Sequence, residues 1–104
     1  IDNVIQANLL SLVTTNKKAI NTVYNVAFGD RNTLNDLMRY LKDYLSEFDS
    51  EISNVKAIYG PNRVGDIPHS HASVNKAKEL LNYNPQFSLQ QGLKEAVKWY
   101  WKNL

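Results

Sequence analysis

Several stretches of the chain repeat apolar residues at helical spacing, and two short runs between them are β-branched and aromatic. After Asp2, the residues Ile5, Leu9, Leu12 and Val13 recur as one helical stripe. They predict a helix capped by Asp2 that runs to about Thr15. Residues 23–28, closed by Gly29-Asp30, predict a buried strand. Thr33 then opens a second helix with Asp36 at the capping-box position; Leu34, Leu37, Met38, Leu41, Leu45 and Phe48 make the clearest amphipathic stripe present. Residues 54–59 predict a short strand that Gly60-Pro61 breaks, and residues 60–72, with two prolines and two glycines, read as a loop. Ser73 is expected to cap a short helix with Ala77, Leu80 and Leu81 inside, closed by a left-handed Asn82. Ser88 and Gln91 suggest a capping box for the last helix, with Leu89, Leu93, Ala96, Val97, Tyr100 and Leu104 on its buried face. Gly92 inside that helix costs ~1 kcal/mol against Ala, which predicts a neighbouring backbone close by.

This order gives an α+β fold class: a few short strands covered by about four helices. Two strands alone are marginal, so the sheet is expected to draw on strands outside this segment. At 104 residues the chain is one domain's worth, able to bury somewhat over ~60% of its unfolded surface. Its net charge is +2, its calculated pI is near 8.9, and its basic residues are interspersed with acids, so neither nucleic acid nor an anionic membrane is called for. The chain has no cysteine, which removes disulfides and thiolate metal sites and fits the cytoplasm, the expected location. No apolar run approaches the ~20 residues of a membrane span.

The candidate chemistry sits in the loop, as Arg63-Val64-Gly65-Asp66. A guanidinium offers a planar fork of donors suited to a diphosphate, and a carboxylate three positions on offers acceptors suited to a ribose diol. Together they describe a nucleotide-sugar; the plainer alternative is an exposed turn with a local ion pair. His69 and His71 lack a convincing third metal ligand, and no metal site is assigned. Trp99, Tyr100 and Trp101 point in different directions on a helix, so helix packing is preferred to base stacking, with at least one of them in the core. Asn25 reads as a structural hydrogen-bonder, and Lys17-Lys18 as a solvated helix end.

Around that loop stand Val23-Tyr24-Asn25-Val26-Ala27, Gly29-Asp30-Arg31 and Thr33-Leu34-Asn35 before it, and Lys76-Ala77, Leu81-Asn82-Tyr83-Asn84-Pro85, Gly92-Leu93 and Trp99-Tyr100 after it. In this order and spacing, Asp2 to Trp101 resembles the C-terminal, substrate-binding part of extended short-chain dehydrogenases/reductases. The likeness is to their NAD-dependent nucleotide-sugar epimerase and dehydratase group, nearest to bacterial UDP-N-acetylhexosamine 4-epimerases. The resemblance implies that Arg63 contacts the substrate diphosphate, that Asp66 accepts from ribose hydroxyls and that Arg31 approaches the nucleotide. It implies a parent enzyme, a homodimer, that inverts C4 of UDP-N-acetylglucosamine or UDP-glucose through a 4-keto sugar, with hydride passing to NAD and back. Ser73, Asn82 and Phe28 depart from residues common in the group, the first two to residues that can cap equally well and the third only near the nucleotide.

Two family hallmarks are missing: a Gly-rich turn for the dinucleotide, and any tyrosine with a lysine four positions later. The chain therefore reads as one C-terminal fragment, residues 1–104, without the Rossmann domain. It carries no catalytic or cofactor-binding residue of its own, and it is expected neither to epimerise a UDP-sugar nor to bind NAD alone. A dehydratase or decarboxylase fragment is the alternative within the group, and a free-standing non-catalytic binding module the alternative outside it.

Overall fold

The computed structural model describes residues 1–67 and 71–104. Its helices are α1 (Asp2–Val13), α2 (Leu34–Ser46), α3 (Asn75–Leu81) and α4 (Leu89–Asn103), with short 3-10 turns at Lys17–Ala19 and Ser50–Asn54. Among the described residues there is no strand, which overturns the α+β expectation. Residues 23–28 and 54–59 have the composition of strands, yet a strand exists only when its backbone groups meet a neighbouring ladder. Neither run has one among the described residues, and Val23 (84% exposed) and Ile58 (98%) are not buried.

The chain divides into two compact units, Ile1–Asp30 with His71–Leu89, and Arg31–Ser70 with Gln90–Leu104. The core of the first is Ala7, Val74, Ala77 and Tyr83, with Leu10, Tyr24 and Ala27 packed against it. Its helix α1 begins at Ile1 without a side-chain cap; Asp2 lies in the first turn, where a carboxylate suits the positive end of the helix dipole. The apolar stripe of this helix is turned away from the core. Ile5, Leu9, Leu12 and Val13 are exposed, while Ala7 is buried and Asn3, Gln6 and Leu10 are half-buried beside it.

The reason lies in two amides. Asn3 Oδ1 accepts from the backbone N–H groups of Gln86 (2.9 Å) and Phe87 (3.1 Å), and its Nδ2 donates to the Phe87 carbonyl (2.6 Å). One turn along, Gln6 Oε1 accepts from the Asn84 N–H and Nε2 donates to the Asn84 carbonyl, both at 2.7 Å. The helix thus grips residues 84–87 through side chains as a neighbouring strand would through its backbone. Residues 22–27 are held the same way: Lys76 Nζ donates to Thr22 Oγ1 and to the Val23 carbonyl (2.9 Å) and lies over the Tyr24 ring, and the Tyr83 hydroxyl donates to the Ala27 carbonyl at 2.7 Å.

Helix α3 starts one residue later than expected, with Val74 rather than Ser73 at its N-cap and no side-chain cap. Asn82 closes it in the left-handed conformation (φ 56°), as the sequence indicates. Gly29 has φ +103°, a backbone angle that L side chains rarely adopt, so the bend after residue 28 calls for glycine.

In the second unit the capping box of α2 is complete: the Asp36 N–H donates to Thr33 Oγ1 (3.1 Å) and the Thr33 N–H to Asp36 Oδ2 (3.0 Å). None of α2 is fully buried, and Leu34 is 76% exposed. Within α4 only Val97 is buried, whereas Tyr100 and Leu104, expected inside, are exposed. Trp101 stacks on Phe48 with centroids 5.3 Å apart, and Trp99 meets Tyr100 edge to face; all three residues of the aromatic run stay about half exposed, so none is core. Among the described residues Gly92 has no neighbour within 4 Å of where a Cβ would stand, so no close backbone there accounts for it.

Candidate functional site

Arg63 and Asp66 stand at the two ends of one turn in the second unit. The turn is made by backbone alone: the Asp66 N–H donates to the Arg63 carbonyl at 3.2 Å. Gly65, third of the four residues, has φ +88°, a conformation that glycine adopts without the Cβ penalty of other residues. A Cβ at Gly65 would meet no described residue within 4 Å, and the requirement there lies in the backbone angle. All four residues are exposed, Val64 fully.

The side chains of Arg63 and Asp66 make neither an ion pair with each other nor a hydrogen bond with any described residue. The local ion pair of the plainer reading is therefore not formed. A guanidinium and a carboxylate are instead exposed at turn spacing, Cα to Cα under ~7 Å, with no hydrogen-bond partner among the described residues. Arg31, at the start of the same unit, is likewise exposed and makes no hydrogen bond or ion pair with a described residue. Asn25 is exposed and forms no hydrogen bond with a described residue, contrary to the structural role expected of it.

A concavity of about 470 Å³ lies in the first unit. Phe28, Val74 and Pro85 supply apolar wall, and Asp30, His71 and Lys78 stand at its polar side. The sequence does not flag it, because its residues come from segments some forty positions apart. His69 falls outside the described residues; among the described residues no group of three His, Cys, Asp or Glu could hold a metal. A smaller groove of about 300 Å³ in the second unit runs between α2 and the segment through Ala57 and Tyr59, where the Tyr59 hydroxyl donates to Asn35 Oδ1 at 3.0 Å.

The motif residues downstream of the loop serve the fold. Lys76 pins residues 22 and 23, Ala77 and Leu81 are buried, and Tyr83 is the largest fully buried side chain. Burial raises the Tyr83 phenol above its ordinary value of 10.0. Among the described residues no helix is long and apolar enough to cross a membrane.

No protein-family model matches the chain. Over 96% of its length it is 30% identical to UDP-glucuronate 4-epimerase 4 of Arabidopsis thaliana, of which it spans 24%. Over 99% of its length it is 30% identical to a putative UDP-glucose 4-epimerase of Methanocaldococcus jannaschii, spanning 30% of that protein. It is also 25% identical, over 86% of its length, to a UDP-N-acetyl-alpha-D-glucosaminuronate decarboxylase of Bacillus cytotoxicus, spanning 28% of it. The chain thus covers about a quarter to a third of these relatives, and the similarity points to the nucleotide-sugar epimerase and decarboxylase enzymes as a group.

Proposed function

We propose that this chain is the nucleotide-holding, C-terminal segment of a UDP-sugar 4-epimerase of the extended short-chain dehydrogenase/reductase type. Arg63 would grip the diphosphate and Asp66 the ribose hydroxyls. Similarity over nearly the whole chain to two proteins named as 4-epimerases supports the class. The observation that carries the site is the Gly65 turn, which exposes Arg63 and Asp66 with neither side chain bonded to a described residue. A decarboxylase parent is the second reading, favoured by the likeness to the Bacillus enzyme. Holding the nucleotide end would place the sugar for reaction, a contribution of position instead of chemistry.

The residues present do not fit NAD. A dinucleotide pyrophosphate needs a Gly-rich turn between a strand and a helix. Here Gly29 and Gly65 bend separate turns, Gly60 and Gly92 lie apart from both, and no described segment is a strand. We assign NAD, the proton-transfer pair and the homodimer of the parent to residues other than these. Within the 4-epimerase reading, UDP-N-acetylglucosamine and UDP-glucose are the substrates we favour.

Titration of UDP into the 15N-labelled chain tests the site. Shifts confined to the neighbourhood of residues 63–66, weakened by Arg63→Ala by about 1.5–3 kcal/mol and only partly recovered by Arg63→Lys, are expected. Equal binding by wild type, Arg63→Ala and Asp66→Asn would reduce the loop to a surface turn. Incubated with NAD⁺ and UDP-N-acetylglucosamine, the chain alone should yield no UDP-N-acetylgalactosamine.

A further inference from the structure

Residues 22–27 are anchored at both ends by side chains of the first unit, and the two anchors differ in exposure. At the far end the Tyr83 hydroxyl donates to the Ala27 carbonyl at 2.7 Å from a side chain that is buried. At the near end Lys76, exposed on α3, reaches three successive residues. Its Nζ donates to Thr22 Oγ1 and to the Val23 carbonyl (2.9 Å) and lies 5.1 Å from the centre of the Tyr24 ring. Only the near anchor is within reach of a reagent in solution.

That anchor works through its charge. An ammonium strengthens both hydrogen bonds it donates, and a cation is drawn to the face of an aromatic ring. Among the described residues no other lysine amine hydrogen-bonds to a distant segment; Lys98 pairs only with Glu95, three positions away. Acylation would turn the ammonium into a neutral amide with a single N–H and an added acyl group. One donor would then face two acceptors, and the Tyr24 ring would lose its cation. No backbone ladder stands behind these contacts, since no described segment is a strand.

We propose that Lys76 is an acylation site, and that its modification by an acyl phosphate releases residues 22–26 from α3. Nζ gives a proton to water and attacks the carbonyl carbon of the donor. An N–C bond forms, the C–O bond to phosphate breaks, and phosphate leaves with the electron pair. To present its lone pair, Nζ has to leave Thr22, Val23 and Tyr24, so the seated segment and the acylated lysine exclude each other. Such a pair of states is a coupling: whatever seats the segment protects the lysine, and acylation unseats the segment. The switch does not depend on nucleotide binding by Arg63 and Asp66, and the two readings fail separately.

Acetyl phosphate is the probe. In the native 104-residue chain, peptide mass spectrometry should find Lys76 acetylated about fivefold more slowly than Lys56, which is exposed and bonds to no described residue. Urea should abolish the difference. Chymotrypsin should cut after Tyr24 at least about fivefold faster when position 76 carries acetyl-lysine, and also in Lys76→Gln, than in the wild type. Cutting after Tyr59, in the second unit, and helical circular dichroism should not change. Lys76→Arg, which keeps the charge and several donors, should stay within about twofold of the wild type. Acetylation of native Lys76 as fast as Lys56 or faster overturns the proposal without recourse to any variant. So would unchanged cutting after Tyr24, an equal rise after Tyr59, or Lys76→Arg that behaves as Lys76→Gln.

Discussion

The Tyr83 hydroxyl donates a 2.7 Å hydrogen bond to the carbonyl of Ala27, joining two residues of the same core that stand 56 positions apart. Tyr83 fills the interior of the first unit with its ring and fixes the 22–27 segment with its oxygen. Tyr83→Phe keeps the ring and removes the bond, so it should cost about 1 kcal/mol. Because burial raises this phenol above 10.0 in the folded state, its contribution is fully present below pH 10 and is lost as pH rises through the higher folded value. Denaturant midpoints measured from pH 8 to 11 should therefore fall above pH 10 in the wild type, and less steeply in Tyr83→Phe.

Asn3 and Gln6 provide a second check, because together they make five hydrogen bonds to residues 84–87. Asn3→Ala should destabilise by about 2 kcal/mol and Gln6→Ala by somewhat less. Gln6→Glu keeps the acceptor for the Asn84 N–H but sets a charge against the Asn84 carbonyl, and should not restore the loss. Since both amides hold one short segment, urea unfolding of the double variant should show a coupling of roughly 0.5 kcal/mol or more.

Gly92, inside α4, has no described residue within 4 Å of where a Cβ would stand. Gly92→Ala should then stabilise by about 1 kcal/mol, visible as a rise in Tm. A fall in Tm would mean that another backbone does approach there.

Gly65→Ala separates turn geometry from folding. The positive φ strains any L side chain, by about 1 kcal/mol, in a loop that is exposed throughout. Under the nucleotide reading, UDP affinity should drop several-fold while Tm falls by no more than the roughly 4–8 °C that about 1 kcal/mol costs a chain of this size, measured by titration and thermal melting.

What the sequence disclosed was mostly local. The Thr33–Asp36 capping box and the left-handed Asn82 depend on residues within one turn, and both stand where pattern reading puts them. Periodicity showed that α1 is helical but not which side is inside; Asn3 and Gln6 turned the polar-looking side inward because their amides find backbone partners more than seventy positions away. Strand propensity at residues 23–28 was legible, but pairing is a property of a neighbour, and none is present among the described residues. At the loop, order and glycine position foretold a bent backbone with Arg63 and Asp66 at its ends. Whether the two charges neutralise each other depends on side-chain direction, which no spacing reveals.

Residues 22–27 are held in an unusual direction: the backbone carbonyls of Val23 and Ala27 are seized by Lys76 and Tyr83, while the N–H groups of the segment have no acceptor among the described residues. Amide protons in such a segment are exchangeable even though the chain is anchored. In deuterated water it should take up label at nearly the rate of an unstructured peptide, and a labelling map would mark as loose a part of the molecule that stays where it is.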